Sequence, residues 1–214
     1  MILKVNSLKL LKETPKENRY LLSLEKEGMK YKAGQYFSLD IPNSEYKFYY
    51  SAFSHPKERY LVFYIRSRPD SYTEEFLTLV RGGSQLNVEG GYGFNQLTGS
   101  VRHSLFISQG TGISPVRSLY MSSPSNVSKT CLHFEHSEEL KGLAEVNYSN
   151  LLRELIYNGD IDSGELYDQL DIELPMDTSP KDIYYCVERD LEKLLTNYLE
   201  QKYVFSKLIN LGGR

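Results

Sequence analysis

The chain has 214 residues, with 25 Lys and Arg against 28 Asp and Glu, which gives a formal net charge of −3. Hydrophobic residues make up 40% and charged residues 25%, an ordinary globular composition that excludes a disordered or collagen-like chain. This length suits one large domain or two of about 100 residues each. The pI of about 5.9 and the lack of a basic stripe interleaved with aromatic residues argue against nucleic-acid binding.

The sequence also bears on compartment and on metals. It has no apolar run of the roughly 18 residues that a spanning helix needs, so we expect no membrane span. Residues 1–6 lack the basic and apolar regions of a signal peptide, which predicts a cytoplasmic protein. Cys131 and Cys186 are too few to hold a metal or an iron–sulfur cluster without other ligands, and the four histidines are scattered. We therefore predict no metal site.

The first half of the chain has the pattern of an antiparallel β-structure. Short segments separated by Gly, Pro and Asn, at about ten-residue spacing, indicate a barrel or a sandwich. The predicted strands cover residues 19–24, 36–41, 47–54, 60–66 and 84–89. One helix interrupts them, with Thr73 as its expected N-cap and with Glu74 and Glu75 in its first turn.

In the second half of the chain the spacing of hydrophobic residues differs, because apolar strands there alternate with amphipathic helices. The strands are predicted at residues 104–108, 130–134 and 182–187, and the helices at residues 115–121, 148–157 and 189–201. This alternation predicts a parallel α/β sheet. Residues 160–180 are acidic and have the composition of a loop. The domain boundary is expected near residues 97–100, which gives domains 1–98 and 99–214.

A glycine motif follows the first strand of the second half. Gly110, Thr111 and Gly112 lie between that strand and the helix that begins near Pro115. Such a turn lets phosphates approach the backbone, and the helix dipole then favours their negative charge. The motif alone fits a ligand site and a tight turn without a ligand equally well.

These motifs, taken together and in this order, resemble the ferredoxin–NADP reductase-like flavoprotein oxidoreductases over nearly the whole chain. The segment Phe48–Ser51 matches the family's Arg-x-Tyr-Ser motif, and residues 33–35 match part of its Pro-Gly-Gln segment. Residues 90–94 stand where the family has a Gly-Pro-x-Gly-x-Phe-like segment. The resemblance implies a Greek-key β-barrel that binds FAD, followed by an α/β domain that binds NADH or NADPH.

The resemblance also assigns roles to single residues. Ser51, at the flavin N5 edge, and Cys186, near the reacting nicotinamide carbon, are the expected catalytic residues. The other expected flavin contacts are Tyr49, Tyr50, Ser54, Arg66 and Thr73, and Tyr50 is the residue expected to lie flat against the flavin ring. The expected nucleotide contacts are Gly110, Thr111, Gly112 and Pro115.

Three positions depart from the family pattern. Phe48 replaces the Arg that pairs with a flavin phosphate, and Arg66 and Arg68 are the candidates to replace its charge. Val187 replaces a glycine that permits close approach. No aromatic residue follows Phe205 to cover the flavin face.

Two functions follow from these observations. The first is an FAD-dependent NAD(P)H oxidoreductase that passes hydride to the flavin and electrons to an external acceptor, which is a small electron-transfer protein or a small molecule. The second is a non-catalytic subunit with the same fold that binds a flavin or a partner. The three departures motivate the second function.

Overall fold

The computed structural model describes residues 1–93, 97, 103–143, 152–156, 163–174, 179–204 and 206–212. The described chain divides into two units. One comprises Met1–Gln96 together with Arg117–Ser122, and the other comprises Leu97–Val116 together with Ser123–Arg214. The boundary predicted between residues 98 and 99 lies outside the described residues.

The first unit is a six-stranded antiparallel sheet with one helix. Its strands are β1 (Ile2–Glu13), β2 (Asn18–Glu25), β3 (Tyr36–Asp40), β4 (Phe48–Ser51), β5 (Tyr60–Ser67) and β6 (Gln85–Tyr92), and α1 (Tyr72–Leu79) follows β5. The sheet order β4-β3-β6-β1-β2-β5 joins strands that are distant in sequence, as in a Greek key. Past the end of β4, Phe53 N donates to Val62 O in β5 at 2.8 Å, which brings the two edges of the sheet together as a barrel.

The barrel core forms where alternate strand residues face inward. Leu22 and Leu24 of β2 and Leu61 and Phe63 of β5 are fully buried, as the period of two in a half-buried strand requires. Phe76 and Leu77 of α1 pack into the same core. The inner face of the sheet, together with α1, thus encloses the core of the barrel.

The second unit is a five-stranded parallel sheet flanked by helices. Its elements are β7 (His103–Gln109), the start of α2 (Ile113–Ser122), β8 (Ser128–Glu135), β9 (Leu152–Ile156), α3 (Ser163–Glu173), β10 (Asp182–Cys186), α4 (Arg189–Lys202) and β11 (Lys207–Asn210). The rest of α2, from Arg117 to Ser122, groups with the first unit. The strand order is β11-β10-β7-β8-β9, and every neighbouring pair is parallel. The predicted two-domain fold, an antiparallel barrel followed by a parallel α/β sheet, is therefore confirmed.

The strand order reverses beside β7. The chain runs outward from β7 to β8 and β9, and then returns to the other side of β7 as β10. In open parallel sheets, ligands bind at the carboxyl ends of the strands where the order reverses. The topology therefore points to the ends of β7 and β10, which are Gln109 and Cys186.

Two local predictions were wrong in the second unit. The helix predicted at residues 148–157 is, where the structure describes it, the strand β9, which pairs in parallel with β8 from Cys131 to Glu135. The acidic segment that was predicted to be a loop contains α3, and its Leu166 and Leu170 are spaced by one helical turn and fully buried. In both segments, contacts with the sheet decide the local structure.

Candidate functional site

The sequence predicts nucleotide binding at the turn Gly110–Gly112, called here the glycine turn. It is a single 3₁₀ turn between β7 and α2. Gly110 has a φ of +51°, in the left-handed region that glycine tolerates best. Pro115 is buried in the first turn of α2, where its missing N–H costs nothing. The sequence therefore builds this turn from residues with fixed backbone roles.

The backbone of Gly112 lies so close to Cys186 that there is no room for a side chain at this position. A Cβ atom at this position would lie 2.2 Å from the Cys186 carbonyl oxygen and 3.0 Å from its Sγ. The glycine turn thus packs directly against the end of β10, and Gly112 permits this approach. Next to it, Glu188 N donates to Gln109 Oε1 at 2.8 Å, which ties the segment after β10 to the end of β7.

Cys186 lies at the end of β10 and is half-buried. Burial raises the pKa of its thiol to about 11, and the carboxylate of Glu192 acts in the same direction. The thiol is therefore protonated at neutral pH. It can act as a small neutral contact, but not as a thiolate nucleophile.

A buried polar triad crosses β7 and β8 just before the glycine turn. Ser108 Oγ lies 2.8 Å from His133 Nδ1, and His133 Nε2 lies 2.7 Å from Glu135 Oε1. None of the three side chains is exposed to solvent. Because the Ser108 hydroxyl is buried, the triad links two strand ends and does not present a nucleophile.

The flavin-binding half of the candidate site was predicted on β4, where the pleat decides which side chains face outward. Tyr50 is half-buried and packs against the barrel core, with its ring 6.3 Å from that of Phe63. Burial raises the pKa of the Tyr50 phenol to about 12. Tyr49 is 61% exposed on the outer face. The exposed aromatic ring of this motif is therefore Tyr49.

Tyr49 belongs to a cluster that the sequence analysis missed. The ring centroid of Tyr36 lies 6.4 Å from that of Tyr49 and 5.4 Å from that of Tyr92. We call Tyr36, Tyr49 and Tyr92 the tyrosine platform; they are 36%, 61% and 41% exposed. Ser51 stands opposite Tyr36 in the β3–β4 ladder and is half-buried. Alternate residues of a strand point to the same face, so the positions of Tyr36 in β3 and Tyr49 in β4 were the sequence signal for the platform.

Ser54 is fully buried, away from any ligand surface. Its Oγ lies 2.8 Å from the Tyr31 hydroxyl and accepts a hydrogen bond from Val62 N at 3.0 Å. Burial raises the pKa of Tyr31 to about 12, which keeps this phenol neutral. The Ser54 hydroxyl is thus engaged by the protein and holds the segment after β4 against β5.

The start of α1 differs from the prediction. Ser71, and not Thr73, is the N-cap, and its Oγ accepts from Glu74 N at 3.2 Å. The spacing Ser71-x-x-Glu74 was the available signal, since it has the form of a capping box. The Glu74 carboxylate is held by Tyr20 at 3.0 Å and by Ser67. Thr73 lies within the first turn and is half-buried.

In this chain the apolar residue Phe48 stands where the matched motif has an Arg. The ring of Phe48 stacks on that of Phe76 with centroids 4.6 Å apart, so it anchors α1 to the barrel. Lys47, the neighbouring cation, pairs with Glu89 at 2.9 Å.

The two candidate replacements for that Arg differ in exposure. Arg66 is half-buried on β5, whereas Arg68 is exposed. The Arg68 carbonyl accepts from Ser71 Oγ at 2.7 Å, which places Arg68 beside the start of α1. Arg68 is therefore the more exposed of the two cations and lies at the start of α1. Among the residues that the structure describes, no three His, Cys, Asp or Glu side chains are grouped as metal ligands.

Searches by sequence found no matching family model and no matching curated protein. Solved structures do match over the whole chain. A ferredoxin–NADP⁺ reductase from Neisseria gonorrhoeae with bound FAD and NADP superimposes with a TM-score of 0.74 at 15% identity, over 99% of this chain and 98% of that one. A ferredoxin–NADP⁺ reductase from Plasmodium falciparum gives 0.72 at 18% identity, over 98% and 95%.

The chain has the fold of the ferredoxin–NADP⁺ reductases. It is also similar to part of full-length CYP116B46 from Tepidiphilus thermophilus, with a TM-score of 0.74 at 17% identity; the match covers all of this chain and 29% of that one. Every helix in the described residues is too short or too polar to cross a bilayer. The reductase fold places the glycine turn on its parallel sheet and the tyrosine platform on its barrel.

Proposed function

We propose that this protein is an FAD-dependent NAD(P)H oxidoreductase that passes electrons to an external acceptor. The observation that carries the proposal is the glycine turn at the reversal of strand order, packed against the end of β10, in a chain that also bears an exposed tyrosine platform. In this proposal residues 1–98 bind the flavin and residues 99–214 bind the nucleotide. When bound, FAD would supply the redox chemistry, because it accepts hydride and releases electrons.

The barrel offers contacts for each part of a flavin. The tyrosine platform supplies flat aromatic surface for the ring, and Tyr49 takes the role that the sequence suggested for Tyr50. Ser51 provides a hydroxyl for the N5 edge beside the platform. At α1, Thr73 offers a hydroxyl, and Arg66 and Arg68 offer positive charge for the diphosphate. The carboxylate of Glu74 is already engaged by Tyr20 and Ser67, which limits its repulsion of a phosphate.

The sheet unit would hold and orient the nucleotide. Gly110 and Thr111 lie directly before α2, where the helix dipole would favour a phosphate. The neutral thiol of Cys186 would lie against the nicotinamide ring without competing for hydride. The tie between Gln109 and Glu188 fixes the two strand ends relative to each other, so the ring would meet a preformed surface.

The acceptor would be a separate molecule. The chain has two cysteines, too few for an iron–sulfur cluster, and the solved relatives are named for ferredoxin. We therefore propose a small electron-transfer protein as the acceptor, or a small molecule in its place. Both cysteines are free thiols, which suits work in the reducing cytoplasm.

Flavin binding by the platform tests this proposal. We expect the purified protein to bind FAD, and Tyr49→Leu to weaken its affinity about fivefold, which corresponds to about 1 kcal/mol of lost stacking. Tyr60→Leu is the matched control, because Tyr60 lies on β5 under the Arg59 guanidinium, outside the platform. Calorimetric titration of all three proteins with FAD and FMN measures the effect. A wild-type protein that binds no flavin would refute the proposal, and one that binds flavin but no nucleotide would support the non-catalytic alternative.

A further inference from the structure

A cleft with aromatic walls lies in the first unit, between α1 and the segment that joins β3 to β4. It contains about 310 Å³ of space, part of which is open to solvent. This volume is at the small end of the range for ligand pockets, about 300 to 1,000 Å³. On α1 the lining residues are Tyr72, Glu75, Phe76 and Leu79, whose spacing of three or four positions places them on one face of the helix. We call this feature the α1 cleft.

Two stacked pairs of aromatic rings line the α1 cleft. The rings of Phe48 and Phe76 have centroids 4.6 Å apart, and because Phe76 is buried, this pair forms the floor. The rings of Tyr46 and Tyr72 have centroids 5.0 Å apart and an interplanar angle of 24°. These two tyrosines are 55% and 64% exposed, so they form the rim. Each pair joins α1 to β4 or to the segment before it, so the walls exist before a ligand binds.

Glu75 gives the α1 cleft a negative charge. It is the charged residue among the described residues that line the cleft, and its carboxylate makes no hydrogen bond or ion pair with any described residue. Helix α1 contains no basic residue, and Lys47, which precedes Phe48, is paired with Glu89 at 2.9 Å. Like charges repel, so a phosphate or another anion is disfavoured in this cleft.

Exposed aromatic rings beside an unpaired carboxylate form the type of site that binds an organic ammonium ion. The face of an aromatic ring attracts a cation, and cages of such rings recognise alkylated ammonium groups. The alkyl groups of the ion would also cover apolar surface, including that of the exposed Leu79, which is otherwise in contact with water. The negative charge and the aromatic walls therefore favour the same class of ligand.

We propose that the α1 cleft binds a small organic ammonium ion with alkyl substituents. Tyr46 and Tyr72 contact its alkyl groups, and the carboxylate of Glu75 balances its charge. None of these three residues is among the flavin or nucleotide contacts proposed above, and the inference does not rest on the proposed function. The preformed walls bind the ion without the cost of ordering a loop.

Choline and its uncharged analogue 3,3-dimethylbutan-1-ol are the probes for this site, because they have nearly the same shape and differ in charge. We expect the full chain to bind choline at least about fivefold more tightly than the uncharged analogue. Calorimetric titration at low ionic strength measures both affinities, since salt weakens the attraction of an exposed carboxylate for a cation.

Glu75→Gln keeps the size of the side chain and removes its charge. We expect its affinity for choline to fall about threefold or more, while its affinity for the uncharged analogue stays the same. Tyr72→Leu should weaken choline binding about fivefold. Glu13→Gln is the matched control, because Glu13 is an exposed acid on β1 that does not line the cleft. It should bind choline as the wild-type protein does.

Three results would overturn the inference. The first is a wild-type protein that binds neither probe, or binds both equally well. The second is unchanged choline binding in Glu75→Gln and Tyr72→Leu, because the cation would then bind elsewhere. The third is a Tyr72→Leu protein that binds FAD more weakly but choline as before, which would assign the cleft to the flavin. The titrations with flavin and nucleotide test the proposed function separately.

Discussion

Among single side chains, Cys186 has a protonation state that can be measured directly. Its thiol pKa is raised to about 11 by burial, so the thiolate is scarce at neutral pH and increases as the pH approaches 11. We predict that the rate of alkylation of Cys186 by iodoacetamide rises about tenfold per pH unit from neutral pH to about pH 10. Peptide mass spectrometry after timed labelling measures this rate.

Cys131 is the internal control for this experiment, since it is fully buried and should stay unlabelled in the folded protein. A Cys186 labelling rate that levels off below about pH 9 would show an ordinary or activated thiol. The thiolate would then have to be reconsidered as a reacting group in the candidate site.

His133 is the central member of the buried triad, and its removal should be costly. The substitution His133→Phe roughly keeps the volume of the ring and removes both of its hydrogen bonds. Glu135 loses its bond to Nε2, which is 2.7 Å long, and Ser108 loses its bond to Nδ1. We expect the free energy of unfolding to fall by about 3 kcal/mol. Urea denaturation followed by circular dichroism measures the change.

His103→Phe is the control for this substitution, because His103 is half-buried at the start of the same strand, β7. We expect it to cost less than about 1 kcal/mol. Equal losses in the two variants would mean that the triad contributes nothing beyond an ordinary side chain.

At the same scale, the sequence motif did not show which side chains of Phe48–Ser51 point outward from the barrel. Phe48, Tyr49 and Tyr50 are all aromatic, so their hydrophobicity does not show which side of β4 faces the core. The stacking of Phe48 on Phe76 decides it, and Phe76 lies 28 positions further along the chain. That contact could not be predicted from the local pattern.

Among the elements, helix α1 offers a test of its observed cap. Ser71 accepts from Glu74 N, whereas Thr73 lies inside the helix. We predict that Ser71→Ala lowers the free energy of unfolding by about 1 kcal/mol. Thr73→Ala should cost clearly less and should instead weaken flavin binding. Chemical denaturation of both variants checks the order, and a larger loss for Thr73→Ala would contradict the cap that the structure shows.

The turn between β7 and α2 depends on Gly112. A Cβ here would meet the Cys186 carbonyl oxygen at 2.2 Å, and a backbone atom of the neighbouring strand cannot easily move aside. Gly112→Ala should therefore cost about 3 kcal/mol by overpacking, or prevent folding. The control is Gly82→Ala, whose Cβ would lie 3.6 Å from the nearest atom, Asn6 O, in ordinary contact. Thermal unfolding compares the two, and equal stability would refute the close packing at Gly112.

The elements that the sequence predicted are those with a strong local signal. The strand β7 and the helix α4 were predicted nearly to their ends, because a continuous apolar run and a helical period mark them clearly. The strands β1 and β11 were missed. Only Leu3 and Val5 of β1 are buried hydrophobics, and β11 is a four-residue edge strand. β1 is held by pairing with β2 and β6, and β11 is held by parallel pairing with β10, so no pattern within either strand records it.

For the molecule as a whole, the change of hydrophobic period along the chain was enough to predict two different units in the right order. Strand order was not predictable, because the pairing of β1 with β6 joins residues more than 80 positions apart. The same holds for the candidate site. The glycine turn was visible in the sequence, whereas its contact with Cys186 depends on the pairing of β7 with β10.

The most direct test of the whole account is anaerobic reduction of the flavin-loaded, full-length protein. We predict that the visible absorption band of the oxidised flavin bleaches when one equivalent of NADH or NADPH is added. We also predict that the band returns when an electron acceptor such as ferricyanide follows. A yellow protein that neither nucleotide bleaches would contradict the central claim, because no hydride would then pass from the nucleotide to the flavin.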